Sequence, residues 1–306
     1  MEIFSSTLHQ MIVLIVFILI GYCGNKWHFL SNDTDITLAR LENNLLMPAV
    51  VLNTFMTQCT VDVLSEKWRI FESGFMILTI TTILAFGLSS LIEKDPVKRK
   101  IYRYSFAFPN IGFMGIAVIQ GFSNESLLFD YMIFTLPYNF LIYSIGITWL
   151  LPKRNNANLL QQLINPMFIA LLVGAGIGLL EIPLNSEFMT IVSGLSNCML
   201  PIAMMLTGYV IAKYDLKKLL KVGKVYFSVA LRLIVIPLCT LLIFKQCGAS
   251  NAIALPAICA LAMPMGLNTV VIPAAHNMDV TLGASMAFIS SLFSVVTIPL
   301  IFMLVN

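Results

Sequence analysis

Ten apolar stretches follow one another along this chain with only short connections, at approximately 8–25, 38–57, 70–92, 99–121, 126–150, 163–180, 188–211, 223–245, 251–275 and 280–304. Each is near the ~20 residues that a helix needs to cross bilayer hydrocarbon. In hydrocarbon a segment must satisfy its own backbone N–H and C=O groups, which makes runs of this length helices. Of 306 residues 58% are hydrophobic and only 11% charged, whereas a soluble domain carries roughly a quarter charged residues. The pattern predicts an all-α membrane protein of ten transmembrane helices, with no room for a separate catalytic domain. The run Met11–Ile20 has no small-residue cleavage site after it. It reads as the first membrane helix and not as a signal peptide.

The cations orient these spans. Fourteen of the eighteen Lys and Arg fall on one side: Lys26, Arg40, Lys94, Lys98, Arg99, Lys100, Arg103, Lys153, Arg154, Lys213, Lys217, Lys218, Lys221 and Lys224. Lys67, Arg69 and Lys245 lie on the other side, and Arg232 inside a span. Cytoplasmic loops carry the Lys/Arg excess, so a multi-pass plasma-membrane protein with both termini outside the cytoplasm is expected. The basic loops Lys94–Arg103 and Lys213–Lys224 read as topology determinants facing lipid headgroups, with no nucleic-acid partner. The three His residues (His9, His28, His276) are scattered, so no metal or other cofactor is expected. Most of the six Cys sit inside spans as small apolar residues. Cys59 and Cys247, near the outer surface, are the pair open to a disulfide.

The chain also repeats itself. Gly21 pairs with Gly174 at an offset of 153, and Asn44-x-x-x-Pro48 pairs with Asn197-x-x-x-Pro201 at the same offset. Pro109, in the fourth run, and Pro264, in the ninth, stand 155 apart. The matches keep their order, which predicts two homologous halves, 1–152 and 153–306, joined through 153–158. Five spans per half is an odd number, so the second half enters the membrane inverted.

The duplicated prolines interrupt their runs, in Phe108-Pro109-Asn110-Ile111-Gly112 and in Met263-Pro264-Met265-Gly266-Leu267-Asn268-Thr269. Pro removes a backbone donor and Gly lets the chain open. Paired breaks in two inverted halves are the best sequence pointer to a transporter's binding site near the bilayer midplane. Half-helix N-termini suit anions and carbonyl ends suit Na⁺ or a protonated group. The substrate-site candidates are Pro109, Asn110, Gly112, Pro264, Gly266, Asn268 and Thr269, with Asn139 in the span that follows the first break. Asn43, Asn44, Ser196 and Asn197 are either path-lining groups or interhelical glue. Charges inside spans are costly and few; Glu72, Asp130 and Arg232 are the candidates for ion or proton coupling. Whether Na⁺, H⁺ or neither is coupled stays open at this level.

Phe108-Pro-Asn110-Ile-Gly112-Phe-Met-Gly115-Ile resembles the fourth-helix signature of the auxin efflux carrier family in its short bacterial form. Leu200-Pro201-Ile-Ala-Met-Met-Leu-Thr-Gly208 resembles the family's seventh span, and Met263-Pro264-Met-Gly266-Leu-Asn268 with Ser291, Ser294 and Pro299 resembles its end. Ala117 departs from the pattern, since the family usually places Pro there. The resemblance implies ten helices in two inverted repeats, related to bile acid:sodium symporters. It implies a scaffold of spans 1, 2, 6 and 7 and a transport domain of spans 3–5 and 8–10. It also implies carriage of organic anions such as carboxylates and dicarboxylates at the crossed fourth and ninth helices, with Asn110, Asn268 and Asn139 as contacts. An elevator-type secondary transporter is thus expected, with membrane lipids and a scaffold-mediated homodimer as its company. The alternative is a sensor that keeps the fold and only binds its ligand. No catalytic constellation points to an enzyme.

Overall fold

The computed structural model describes residues 2–31, 33–121, 124–151, 165–274 and 278–305, and the 153–158 linker lies outside them. The described residues are predominantly helical, without a β-strand. In chain order the helices are α1 (Glu2–Lys26), α2 (Thr34–Leu41), α3 (Met47–Gln58), α4 (Val61–Ile92), α5 (Pro96–Ala107), α6 (Ile116–Gln120), α7 (Glu125–Leu141) and α8 (Ile147–Leu150). They continue as α9 (Pro166–Leu179), α10 (Ser186–Ala212), α11 (Leu216–Leu219), α12 (Gly223–Ala230), α13 (Ile236–Gln246), α14 (Asn251–Leu261), α15 (Asn268–Ala274) and α16 (Thr281–Val305).

Among the described residues six helical stretches are long and apolar enough to cross a membrane: Leu8–Lys26, Val61–Ile92, Glu125–Leu150, Ser186–Ala212, Gly223–Gln246 and Thr281–Val305. The other apolar runs fold as shorter or divided helices. The third run begins earlier than its hydropathy suggests, at Val61 and not near 70. Thr60 accepts a hydrogen bond from the Val63 N–H and Asp62 sits in the first turn, a side-chain cap and a favourable charge that start the helix among polar residues.

Five-residue π-helical turns lie at Glu42–Leu46, Ile111–Gly115, Ile142–Gly146 and Leu231–Val235. Two of them have a common local cause. Pro48 and Pro237 stand two residues beyond the turns at Glu42–Leu46 and Leu231–Val235. A proline ring inside a helix collides with the carbonyl four residues back, and the widened turn makes room for it.

Small residues bring the helices together. A Cβ at Gly21 would strike the Met205 carbonyl, and one at Gly208 would strike the Ile18 carbonyl, so α1 and α10 touch backbone to backbone. In the same way α9 lies on α3, with Gly174 against the Leu52 backbone. Helix α4 packs on α5 and α7, and α16 touches α1, α12 and α15. The deepest continuous stretch of core is Ala257–Met263, at the approach to the second proline.

Candidate functional site

The two proline segments meet. Helix α5 ends at Ala107, and Phe108 is extended (φ −119°, ψ 101°), as the residue before a proline prefers. Asn110 (φ −75°, ψ 61°) centres a tight turn in which the Ile111 N–H donates to the Pro109 carbonyl at 2.8 Å, the geometry of an inverse γ-turn. On the other side α14 ends at Leu261 and α15 starts at Asn268. Pro109 pairs antiparallel with Met265, and the Asn110 N–H donates to the Pro264 carbonyl at 2.8 Å. A buried backbone group needs a partner, and here each break supplies one to the other.

Neighbouring side chains satisfy further groups of the junction. The Asn110 side-chain oxygen accepts from the Met114 N–H at 3.4 Å, and its carbonyl accepts from the Gly115 N–H at 2.9 Å. The Tyr131 hydroxyl donates to the Ile111 carbonyl at 2.9 Å. It stands where a Cβ on residue 115 would go, which is why that position is glycine. In the second break the Met265 N–H donates to the Ser290 hydroxyl at 3.0 Å, and the Thr269 hydroxyl donates to the Gly266 carbonyl at 2.9 Å. The Asn268 amide crosses to the first half and donates to the Tyr104 hydroxyl at 3.0 Å. Asn110 and Thr269 are buried, Asn268 half-buried. Pro109, Asn110, Pro264, Gly266, Asn268 and Thr269 therefore form one junction.

Gly112 and Asn139 share a cavity of about 370 Å³ beside it. Its walls are almost wholly apolar, with Phe55, Phe71, Phe75, Phe140 and Phe168 among them. Asn43 and Asn44 line a different, more polar cavity of about 580 Å³ with Asp35, Arg40, Lys213, Tyr214, Val270 and Val271. The two valines directly follow Thr269, so this cavity reaches the start of α15. The Asn43 amide donates to the Ala39 carbonyl at 2.8 Å, and Lys213 lies 2.6 Å from Asp35. Just beyond α15, the Thr281 hydroxyl and amide hydrogen bonds hold the Asp279 carboxyl below the usual range.

Other sequence candidates lie elsewhere. Ser196 is buried and accepts from the Gln120 side chain at 3.4 Å. Asn197 is exposed and borders none of these cavities. Glu72 is exposed, accepts from the Trp68 indole at 2.8 Å, and borders a third cavity of about 600 Å³ between α4 and α13. Asp130 is buried with Lys67 2.8 Å away, a tie between α7 and α4. Arg232 is fully buried near Tyr138, and among the described residues its three guanidinium nitrogens have no hydrogen-bond partner. Cys59 and Cys247 are both free. Among the described residues no group of three or more His, Cys, Asp or Glu is placed to hold a metal.

One residue with a strong environment was absent from the sequence candidates. Glu42 is 0% exposed, and neither carboxylate oxygen has a partner among the described residues. The signal for it in the sequence is an acidic residue inside the apolar run 38–57.

A family model described as "Membrane transport protein" matches the chain twice, over residues 6–159 and over residues 153–302. No curated protein matches the chain.

Proposed function

Because this chain belongs to the auxin efflux carrier family of membrane transport proteins, we propose that it is a secondary transporter of a small organic anion held at the junction of its two proline breaks. It is a multi-pass membrane transporter by family, and the proposal concerns what it carries and how. The observation that carries the reading is the Asn110 N–H to Pro264 carbonyl bond, which ties together two interrupted helices from opposite halves. Polar groups at such a junction face a ligand from both halves at once, which is what exchange between two sides requires.

The substrate is a carboxylate. Half-helix starts at Ile111 and Asn268 attract negative charge, and the Asn110 and Asn268 amides donate hydrogen bonds to it. The neighbouring Phe-rich cavity favours an acid with an apolar body over a dicarboxylate, because a second charge among Phe55, Phe75 and Phe140 would lose its hydration without a partner. With Lys213 paired to Asp35, Arg40 is the charge at the polar cavity that draws anions toward α15.

We read the ten apolar runs as ten transmembrane helices in two inverted repeats, in a plasma membrane and with outward termini. Two packings support the symmetry: Gly21 sets α1 on α10, and its counterpart Gly174 sets α9 on α3. These four helices would form the scaffold against which the rest moves as an elevator. Na⁺ or H⁺ is the expected coupling ion.

The test combines binding with movement. Purified protein is screened by thermal shift against organic acids with and without Na⁺. A true substrate at a hundred times its Kd should stabilise the protein by about 2.7 kcal/mol. The same acid should exchange across proteoliposomes. A shift with no exchange would replace the transporter by a ligand-binding sensor.

A further inference from the structure

We propose that Glu42 is a proton-binding site, occupied by a proton in the conformation described here and emptied when water from the polar cavity reaches it. Its coupling to substrate rests on the transport reading, whereas proton binding itself does not.

The π-helical turn Glu42–Leu46 packs against α2, α3, α9 and α10. Glu42 is 0% exposed there, and neither oxygen meets a donor among the described residues. A bare carboxylate in such surroundings is heavily penalised, whereas the neutral acid is tolerated. The charged and titratable groups of the surrounding elements are few and turned elsewhere. On α2, Asp35 is paired with Lys213 and Arg40 is exposed. Helices α3 and α9 carry no Asp, Glu, Lys, Arg, His or Tyr. On α10, Glu187 is exposed in the first turn, Cys198 is exposed, and the Tyr209 hydroxyl donates to the Ser31 carbonyl. Among the described residues no cation hydrogen-bonds to either Glu42 oxygen. A metal ion asks for several oxygens at once, while a proton needs one.

Position gives the proton a route and a use. Glu42 is three residues from Ala39 and one from Asn43, both lining the polar cavity, so it lies along the edge of that stripe. The turn closes with the Met47 N–H on the Glu42 carbonyl. The Met47 methyl group lies 3.0 Å from where a Cβ on Gly112 would stand. One turn of helix thus connects the carboxyl to the flank of the junction. Deprotonation there passes the proton to cavity water and leaves a charge that must be hydrated, which favours the conformation that opens this seam.

Infrared spectroscopy of the protein in liposomes tests the site directly. At neutral pH the wild type should show the C=O stretch of a neutral carboxylic acid, absent in Glu42→Gln and retained in Glu187→Gln, which alters an exposed carboxyl. Superimposable spectra of wild type and Glu42→Gln would overturn the proposal. Because Gln mimics the neutral acid, the variant should keep the wild-type thermal transition; if it does not fold, Glu42→Asp serves, with a shifted band expected and an unshifted one counting against the site. Coupling is read from uptake of succinate and of an indole carboxylate into proteoliposomes under a pH gradient. The wild type should respond several-fold and Glu42→Gln not at all. An equal response in both would refute coupling at Glu42. Failure of the wild type to move either acid would count against the transport reading, leaving the infrared result to decide the proton site.

Discussion

The two proline breaks are copies in sequence yet are held in different ways. The first is closed largely by itself: Asn110 caps its own half-helix through both side chain and carbonyl. The second spans more residues and is held by neighbours, with Met265 anchored to Ser290 and Asn268 reaching to Tyr104 in the other half. A self-capped break is a rigid fixture, while a break tied through side chains can re-form its ties when a ligand competes. On the proposed transport reading, the Asn of the first break belongs mainly to the fold and the Asn of the second mainly to the ligand.

That division is open to direct attack. The largest effect should come from Asn268→Ala, which removes the proposed hydrogen bond to a charged substrate, worth about 1.5–3 kcal/mol. Uptake in proteoliposomes should fall about tenfold to a hundredfold, with the thermal transition hardly moved. Next, Ser290→Ala leaves the buried Met265 N–H without its acceptor, a loss of about 1–3 kcal/mol of stability measurable by denaturation in detergent. A silent Ser290→Ala would mean that the second break does not depend on its neighbours. The smallest overall effect is that of Asn110→Ala, a stability loss of about 1 kcal/mol for a lost N-cap. The ordering breaks if Asn110→Ala leaves the melting temperature untouched while Asn268→Ala lowers it.

What was legible in the sequence follows from what each residue type can announce. Pro and Gly mark interruptions by their own covalent geometry, so the segments around Pro109 and Pro264 were readable, and the structure joins them. The membrane class was readable from run length and scarce charge. Pairing was not: Lys67 and Asp130 are 63 residues apart and nothing local links them. Facing was not readable either. Asn197 matches Asn44 in the repeat, yet Asn44 borders the polar cavity while Asn197 is exposed away from it. A helix that is apolar on all sides gives no moment to say which way a polar residue turns. Glu42 was missed for a related reason, since its burial depends on α9 and α10 and not on its own segment.

The π-helical turns before Pro48 and Pro237 also reset phase. Each accommodates one residue more than an α-turn would, so side chains before and after it are offset by about 100° from where a continuous helix would carry them. Deleting one residue inside either turn would restore α-helical winding there and swing the preceding segment round its axis. Glu42 and Arg232, two buried ionisable residues whose side chains have no hydrogen-bond partner among the described residues, stand inside these turns. A winding change of a single residue would therefore act as a rotary coupling, turning each of these side chains to a new face of its helix.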